Sequence, residues 1–398
     1  MKKPFLTFLA ILTGVCVFLS GCVSWMGNPE VVPPRTILVE ENPYEGEDYL
    51  MFITDKAVIE DRLGTDRQWF GMPNIERTPG GRLYSTYQTG GTTEPQIGNY
   101  SVLLKSDDDG DTWQPLAIVY IENGAGNNPV LWIDPTEKLW FIFTVSVEGY
   151  IFASTVYASV CEFPDRQSPI FAPPRIIAPG IMLTKPTVTS NGRWLFPVSV
   201  LSVSDVTVPG FEGGRNDYLY VYEFIDQGKT FGIIGYADVS NHLGEHMILE
   251  KNDGALNMYI RTYGIALSQS FDGGKTWTFG VNSGIPGPGS RFFIRRLQSG
   301  RVLMINHHNF VGRSHMTAML SDDDGLTWSH TLLLDERTGV SYPDAVETKD
   351  GFIYLTYDYL RYGPDREILI AKITEDDILA GSLVNNGSYM KKVIHKVF

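Results

Sequence analysis

Met72, Asn128, Lys185, Glu245, Arg291 and Tyr342 each open an apolar segment that runs into a turn. The turn follows nine residues later, or seven for Lys185, whose segment is shorter. Equivalent positions in a repeated unit share one end of the architecture, so these side chains are expected to ring one mouth. A ring of carboxylate, phenol, ammonium and guanidinium groups is not an apolar plug, because burying such groups unpaired is costly. It fits the binding of a polar ligand.

The elements that must position this ring are legible as repeats. Six copies of a strand, a turn and a second strand read MPNIERTPGGRLYSTY, NPVLWIDPTEKLWFIF, KPTVTSNGRWLFPV, EHMILEKNDGALNMYI, RFFIRRLQSGRVLMIN and YPDAVETKDGFIYLTY. Their turn positions are Gly81, Glu137, Gly192, Gly254, Gly300 and Gly351. An all-strand repeat of about 50 residues predicts a β-propeller with one blade per copy, and hence an all-β, six-bladed fold.

A second phrase, S-x-D-x-G-x-T-W, occurs at Ser106–Trp113, Ser270–Trp277 and Ser321–Trp328, with a worn copy at Asp226–Phe231. It reads as a turn in which Asp caps the backbone, Gly takes positive φ and Trp packs beneath. A calcium-binding reading is weaker than this structural one. If the strands of a blade run A to D, the Gly turn joins A to B and the Asp turn joins C to D. Both lie at one end. The starts of the A strands and the B-to-C loops then form the opposite mouth.

The sequence of 398 residues carries a formal charge of −14 without a basic cluster, which argues against nucleic acid as a partner. No Cys/His spacing suits zinc, and no metal or other cofactor is expected. Lys2-Lys3, the apolar run 5–19 and Ser20-Gly21-Cys22 read as a secretory signal over residues 1–22. Leu19-Ser20-Gly21-Cys22 resembles the bacterial lipoprotein box, which implies lipidation at Cys22, a cell-envelope location and membrane contact only through that anchor. Residues 23–35, with Pro29, Pro33 and Pro34, read as a tether, and residues 36–398 as one propeller domain. Cys161 is then the sole thiol of the exported domain and reads as buried and structural.

Six copies with S-x-D-x-G-x-T-W turns resemble the sialidase (neuraminidase) superfamily over roughly residues 65–375. Sialidases clamp a sugar carboxylate with three Arg, attack with a Tyr activated by a Glu, and protonate the leaving group with an Asp. The resemblance implies Tyr342, in Val340-Ser341-Tyr342-Pro343-Asp344, as nucleophile and Glu245 as its activator. It implies Arg261 and Arg313 as clamp residues, the latter from R-x-x-x-T-x-x-x-S-x-D-x-G-x-T-W. Two features depart from the family. Gly71-Met72-Pro73 stands where the first clamp Arg has its R-I-P phrase, so Lys185, Arg291 or Arg67 would have to substitute. The loop 89–99 holds Glu94, not Asp, as its carboxylate, and Glu94 would serve as the acid. Asn128 is expected to touch the ligand from the second blade.

The implied activity is an exported retaining glycosidase that releases a terminal, acidic sugar from a glycan. A hydrolase for another sugar, a glycan receptor without turnover and a structural lipoprotein stay open alternatives. His307 and His246 read as scaffold, Trp132, Trp140 and Trp194 as core, and Tyr357 or Tyr359 as a stacking face. Residues 375–378 read as a short helix, and the last blade would take its outer strand from 36–41 or from 391–398.

Overall fold

The structure is a computed structural model that describes residues 50–64, 67–147, 154–200, 218–225 and 230–397. The proposed signal, Cys22 and the tether lie outside the described residues, as does the candidate strand 36–41.

Six antiparallel sheets form the blades of a propeller, each with its four strands hydrogen-bonded in chain order. They span residues 70–121, 124–179, 187–237, 246–282, 293–335 and 340–397. Blade faces pack on both neighbours, so many strands are buried along their whole length, as Leu83–Thr89 is. All six turn positions between the first and second strands take left-handed φ, from 65° at Glu137 to 98° at Gly81. That conformation costs Gly nothing sterically, which explains five glycines in six copies.

The Asp turns are closed by their own side chains. Asp108 Oδ1 accepts from Thr112 N at 2.8 Å, and Asp272 and Asp323 repeat the bond to Thr276 and Thr327 at 2.9 and 2.8 Å. Trp113, Trp277 and Trp328 pack against the adjacent cores. Each carboxylate is thus occupied by its own turn.

Blade 6 takes its outer strand from Tyr389–Val397, which pairs with Arg366–Thr374. Leu50–Ile53 instead adds a fifth strand outside blade 1, with Leu50 opposite Ile121. The short helix spans Glu375–Ala380. Among the described residues no strand is exchanged between blades 1 and 6, and side chains join the two blades. Phe70, Ile75, Tyr354, Ile368, Ile370 and Ile394 share one apolar cluster. Met72 N donates to Asp358 Oδ2 at 3.0 Å, Ile75 N to Asp344 Oδ2 at 3.0 Å, and Arg366 Nη1 to the Gln68 carbonyl at 3.0 Å.

Candidate active site

The polar mouth is built on a backbone irregularity that three blades share. The inner strands Phe70–Arg77, Gly124–Ile133 and Val340–Glu347 each lose register with their neighbour, at 71/74, 127/130 and 341/344. Within each shift a residue before Pro takes left-handed φ: Met72 at 56°, Asn128 at 50° and Tyr342 at 56°. Such a conformation costs a non-Gly residue about 1–3 kcal/mol, and strain of this kind clusters at functional sites.

Around Tyr342 the charges are dense. Arg261 Nη1 donates to the Tyr342 hydroxyl at 2.7 Å and also to Glu245 Oε1. Arg261 Nε and Nη2 donate to the Gly289 carbonyl at 3.0 and 2.7 Å, and Arg313 Nη2 reaches the same carbonyl at 3.2 Å. One backbone oxygen therefore fixes two guanidinium groups. The Arg313 Cζ lies 5.4 Å from the Tyr342 ring centroid and the Arg261 Cζ 5.5 Å. Burial pushes the Tyr342 hydroxyl above its ordinary pKa, Glu245 adds to the push, and Arg261 and Arg361 oppose it. No direct hydrogen bond joins Glu245 to Tyr342. Arg261 stands between them.

Sequence reasoning missed Arg361, whose Cζ lies 4.4 Å from the Tyr342 ring centroid, nearer than the other guanidinium groups. It sits in the loop between Phe352–Tyr359 and Arg366–Thr374, buried at 7% exposure. Its Nη2 is 2.6 Å from Glu94 Oε1 and its Nε 3.3 Å from Asp358 Oδ2. Its Cζ is 5.3 Å from the centre of the Trp69 ring. A Cβ added to Gly71 would fall 2.4 Å from Arg361 Nε. The missing side chain at 71 is what lets Arg361 in.

Glu94 is held by a loop that Asn99 and Gln96 organise, with Gln96 N donating to Asn99 Oδ1 at 2.9 Å and Asn99 Nδ2 to the Thr93 carbonyl at 3.2 Å. Burial raises the Glu94 carboxyl pKa, opposed chiefly by Arg361 and supported by Asp358 and Glu245. Glu94 Oε2 and Glu245 Oε2 are both buried with no hydrogen-bond partner. Buried polar oxygens normally have a hydrogen-bond partner, so both carboxylates keep acceptor capacity at this site.

Residues 81–355 match the family described as BNR repeat-like domain. The chain belongs to that family. Solved structures similar to this BNR propeller include an unknown-function protein from Dyadobacter fermentans DSM 18053, at 17% identity and TM-score 0.58, covering 86% of this chain and 99% of its own. The Hadza microbial sialidase Hz136 is 18% identical with TM-score 0.59, covering 73% of this chain and 63% of that one. The NanB sialidase from Streptococcus pneumoniae is 13% identical with TM-score 0.56, covering 74% and 66%. This chain spans about two thirds of those two sialidases. The likenesses show a sialidase-like fold. No protein of curated function matches the sequence.

Of the residues singled out in the sequence, the BNR propeller brings Tyr342, Glu245, Glu94, Arg261 and Arg313 together. It places others elsewhere. Lys185 is not a clamp residue at the mouth. Its ammonium is buried in the channel, 2.5 Å from Glu76 Oε1 and 3.2 Å from Asp344 Oδ2, where its charge is already neutralised. The backbone at Lys185 lacks the left-handed bulge of the three shared positions, as does that at Glu245, so it is the buried carboxylate partners and not the bulge that hold Lys185 away from the cluster. Arg291 lies against Tyr342, but its two Nη groups are taken by the carbonyls of Leu183, Pro73 and Tyr342 at 3.0, 2.7 and 3.1 Å, which leaves only Nε without a partner. It braces the backbone across blades 3, 1 and 6. Asn128 keeps the bulge but joins the cluster by no hydrogen bond of its side chain; its backbone N donates to Gln88 Oε1 at 3.0 Å. Arg67 turns to His395 Nε2 at 3.3 Å.

Neither candidate stacking residue is free for a sugar. Tyr357 is fully buried and bonded to Asp335 at 3.1 Å, and Tyr359 is covered by the Arg337 guanidinium at 3.8 Å. His307 Nδ1 donates to the Ser314 carbonyl at 2.8 Å, and His246 Nε2 donates to the Tyr220 carbonyl at 3.1 Å, both of them scaffold contacts. Asp344 pairs with Lys185 at 3.2 Å. Cys161 is buried. Among the described residues, no group of three or more His, Cys, Asp or Glu is arranged to hold a metal ion.

Proposed function

We propose that this BNR propeller is a retaining exo-glycosidase that releases a terminal acidic, sialic-acid-like sugar from a glycan. The observation that carries the reading is the Tyr342 hydroxyl held by Arg261 at 2.7 Å, with Glu245 on the same guanidinium and Arg313 and Arg361 over the ring.

The residue types suit a sugar whose anomeric carbon bears a carboxylate. A carboxylate nucleophile would approach like charge, whereas a phenol starts neutral. Sialidases with a Tyr nucleophile are an exception to the two-carboxylate pattern of glycosidases. In the first step the Tyr342 oxygen bonds to the anomeric carbon as the glycosidic bond breaks. The phenolic proton passes to Glu245, which requires Arg261 Nη1 to shift from between the two groups as substrate binds, and the leaving oxygen takes its proton from Glu94. In the second step Glu94 deprotonates a water that attacks the same carbon, and Tyr342 departs and recovers its proton. Guanidinium forks suit the carboxylate because they donate two parallel hydrogen bonds. Known neighbours of the fold support the substrate class, among them an intramolecular trans-sialidase from Ruminococcus gnavus solved with oseltamivir carboxylate.

An aryl sialoside, aryl uronides and neutral aryl glycosides test the reading together. Release from the sialoside, abolished in Tyr342→Phe, is the expected result. Release from another glycoside alone would redirect the substrate, and binding without release would make the protein a receptor. The amino-terminal segment supports export and attachment through Cys22. Cys22→Ala should then move the protein from the membrane to the soluble fraction, and no change would refute the anchor.

A further inference from the structure

We propose that Arg361 is the third guanidinium of the carboxylate clamp, and that a substrate carboxylate arriving on Arg361 displaces Glu94, which takes up the proton it later gives to the leaving group. The inference rests on the acidic-sugar reading above and assigns a residue and a coupling that the resemblance does not supply.

The first support is space. Residue 71 is where the family resemblance expects an Arg, and here Gly71 is matched to a guanidinium that enters from blade 6. Arg361 Nε and Nη2 would lie 2.4 and 3.0 Å from a Cβ at position 71, so any larger residue there excludes the present placement of Arg361. The two positions are therefore alternatives for one guanidinium site. Arg361 is also steadied as a clamp residue must be. Asp358 holds its Nε side, Trp69 lies beneath it, and its carbonyl accepts from Phe70 N at 3.4 Å.

The second support is occupancy. Of the three guanidinium groups, Arg261 is bonded to Glu245, Tyr342 and Gly289 and Arg313 to Gly289, whereas Arg361 Nε and Nη2 make no hydrogen bond, so Arg361 brings unpaired donors to an incoming anion. On Arg361 one of these donors faces an internal anion, since Nη2 meets Glu94 Oε1 at 2.6 Å. That contact is off the hydrogen-bond axis, and Glu94 Oε2 beside it has no partner. A substrate carboxylate bound in two parallel bonds would satisfy the guanidinium better.

The third support is charge. The groups facing Glu94 are Arg361, Asp358, Glu245 and Arg313, with Tyr342 and Tyr362 at its flanks. Its chief cationic neighbour is Arg361. Once Arg361 is shared with a second carboxylate, two anions would face each other in a buried site, where one of such a pair is driven to the neutral form. Glu94 takes one proton from solvent and becomes a carboxylic acid. Its O–H bond then breaks toward the glycosidic oxygen as the C–O bond to the anomeric carbon breaks. Binding itself arms the acid.

Isothermal titration of the full chain with N-acetylneuraminate at neutral pH, in buffers of different ionisation enthalpy, reads this coupling. Wild type is expected to take up about one proton per ligand bound. Glu94→Gln should bind more tightly and take up none. Arg361→Ala should weaken binding about 100-fold, and Gly71→Arg added to Arg361→Ala should recover part of that loss. A zero proton count in wild type, unchanged binding in Arg361→Ala, or no recovery in the double variant overturns the proposal. Thermal unfolding of each variant, with Arg361→Lys as the gentler substitution, separates misfolding from loss of the clamp. If wild type binds no N-acetylneuraminate, the substrate reading fails by itself. The pairing is then read from the Glu94 carboxyl titration by NMR, which should move upward in Arg361→Gln. A Glu94 titration that Arg361→Gln leaves in place overturns the coupling whatever the substrate.

Discussion

Arg291 Nη2 lies 3.1 Å from the carbonyl oxygen of Tyr342, and its Cζ lies 5.2 Å from the ring of the same residue. The guanidinium thus holds the nucleophile candidate by its backbone, at the residue whose φ is 56°. Its other bonds reach Leu183 and Pro73, so one buried side chain ties three blades to the strained position. An ammonium group cannot reproduce this fork. Arg291→Lys is expected to lower stability by roughly 3 kcal/mol, since carbonyls are left without donors. Urea denaturation measures it. Turnover should fall more than substrate affinity, and an unchanged midpoint would show that the fork is dispensable.

Lys185 gives a prediction that separates the channel from the mouth. Its Nζ is buried between Glu76 and Asp344, whose side chains are 3% and 2% exposed. Burial raises the Glu76 pKa and Lys185 opposes it. Lys185→Met leaves two buried carboxylates without the cation that bridges them, with only the more distant Arg295 and Arg291 to offset their charge, at an expected cost of about 3–5 kcal/mol. KM for an anionic substrate should stay within about twofold in the folded fraction, because a merely structural loss leaves uniform binding intact. A tenfold rise in KM at unchanged stability would return Lys185 to the clamp.

The propeller and most of the site were legible because both depend on local rules that repeat. Five glycines and Glu137 mark turns whose φ values are all positive, and with those turns at one end, the strand starts at Glu245 and Tyr342 fall at the opposite mouth, where the resemblance also implied Arg261 and Arg313. Lys185 and Arg291 were misplaced because their partners, the Glu76 and Asp344 carboxylates and three backbone carbonyls, come from distant segments that the repeat does not encode; the bulge does not explain it, since Glu245 lacks it too and only Met72, Asn128 and Tyr342 carry it. The residue-before-Pro pattern at those three positions was visible, but Lys185-Pro186 shares it without the bulge, so it could not decide. Arg361 left no periodic signal. It lies in a loop, and the sign of its role is an absence, the Gly at position 71. Pairing an expected but missing Arg with an Arg on the neighbouring blade's loop would have found it. The closing strand was undecidable because both ends of the chain offer an apolar segment.

Two buried histidines make stability depend on pH with a definite sign. Burial pushes His246 and His307 down to about 4 from an ordinary 6.5. The unfolded chain therefore binds protons that the folded chain refuses between these values, and stability rises with pH across that window. It is fully present above about 6.5 and is lost as pH falls toward 4, by on the order of a few kcal/mol per histidine. Chemical denaturation at pH 7 and pH 4.5 should show a lower midpoint in acid. An equal or higher midpoint at pH 4.5 would mean that these imidazoles accept protons without unfolding.

Glu94 makes the remaining prediction, through its role as acid. A general acid must be protonated to act, and burial raises the Glu94 pKa above that of an ordinary glutamate. Activity should therefore persist to higher pH than a free carboxyl would allow, then fall as pH rises through that raised value. Glu94→Gln removes the proton donor but keeps the shape. Substrates with a poor leaving group, such as an alkyl or sugar alcohol, should lose about 100–10,000-fold in rate, the usual range for general acid catalysis. Substrates with a nitrophenol leaving group need no proton and should keep most of their rate, with the alkaline limb of the pH profile gone. Equal losses on both leaving groups would mean that Glu94 only positions Arg361, since a residue acting on binding alone does not discriminate between leaving groups.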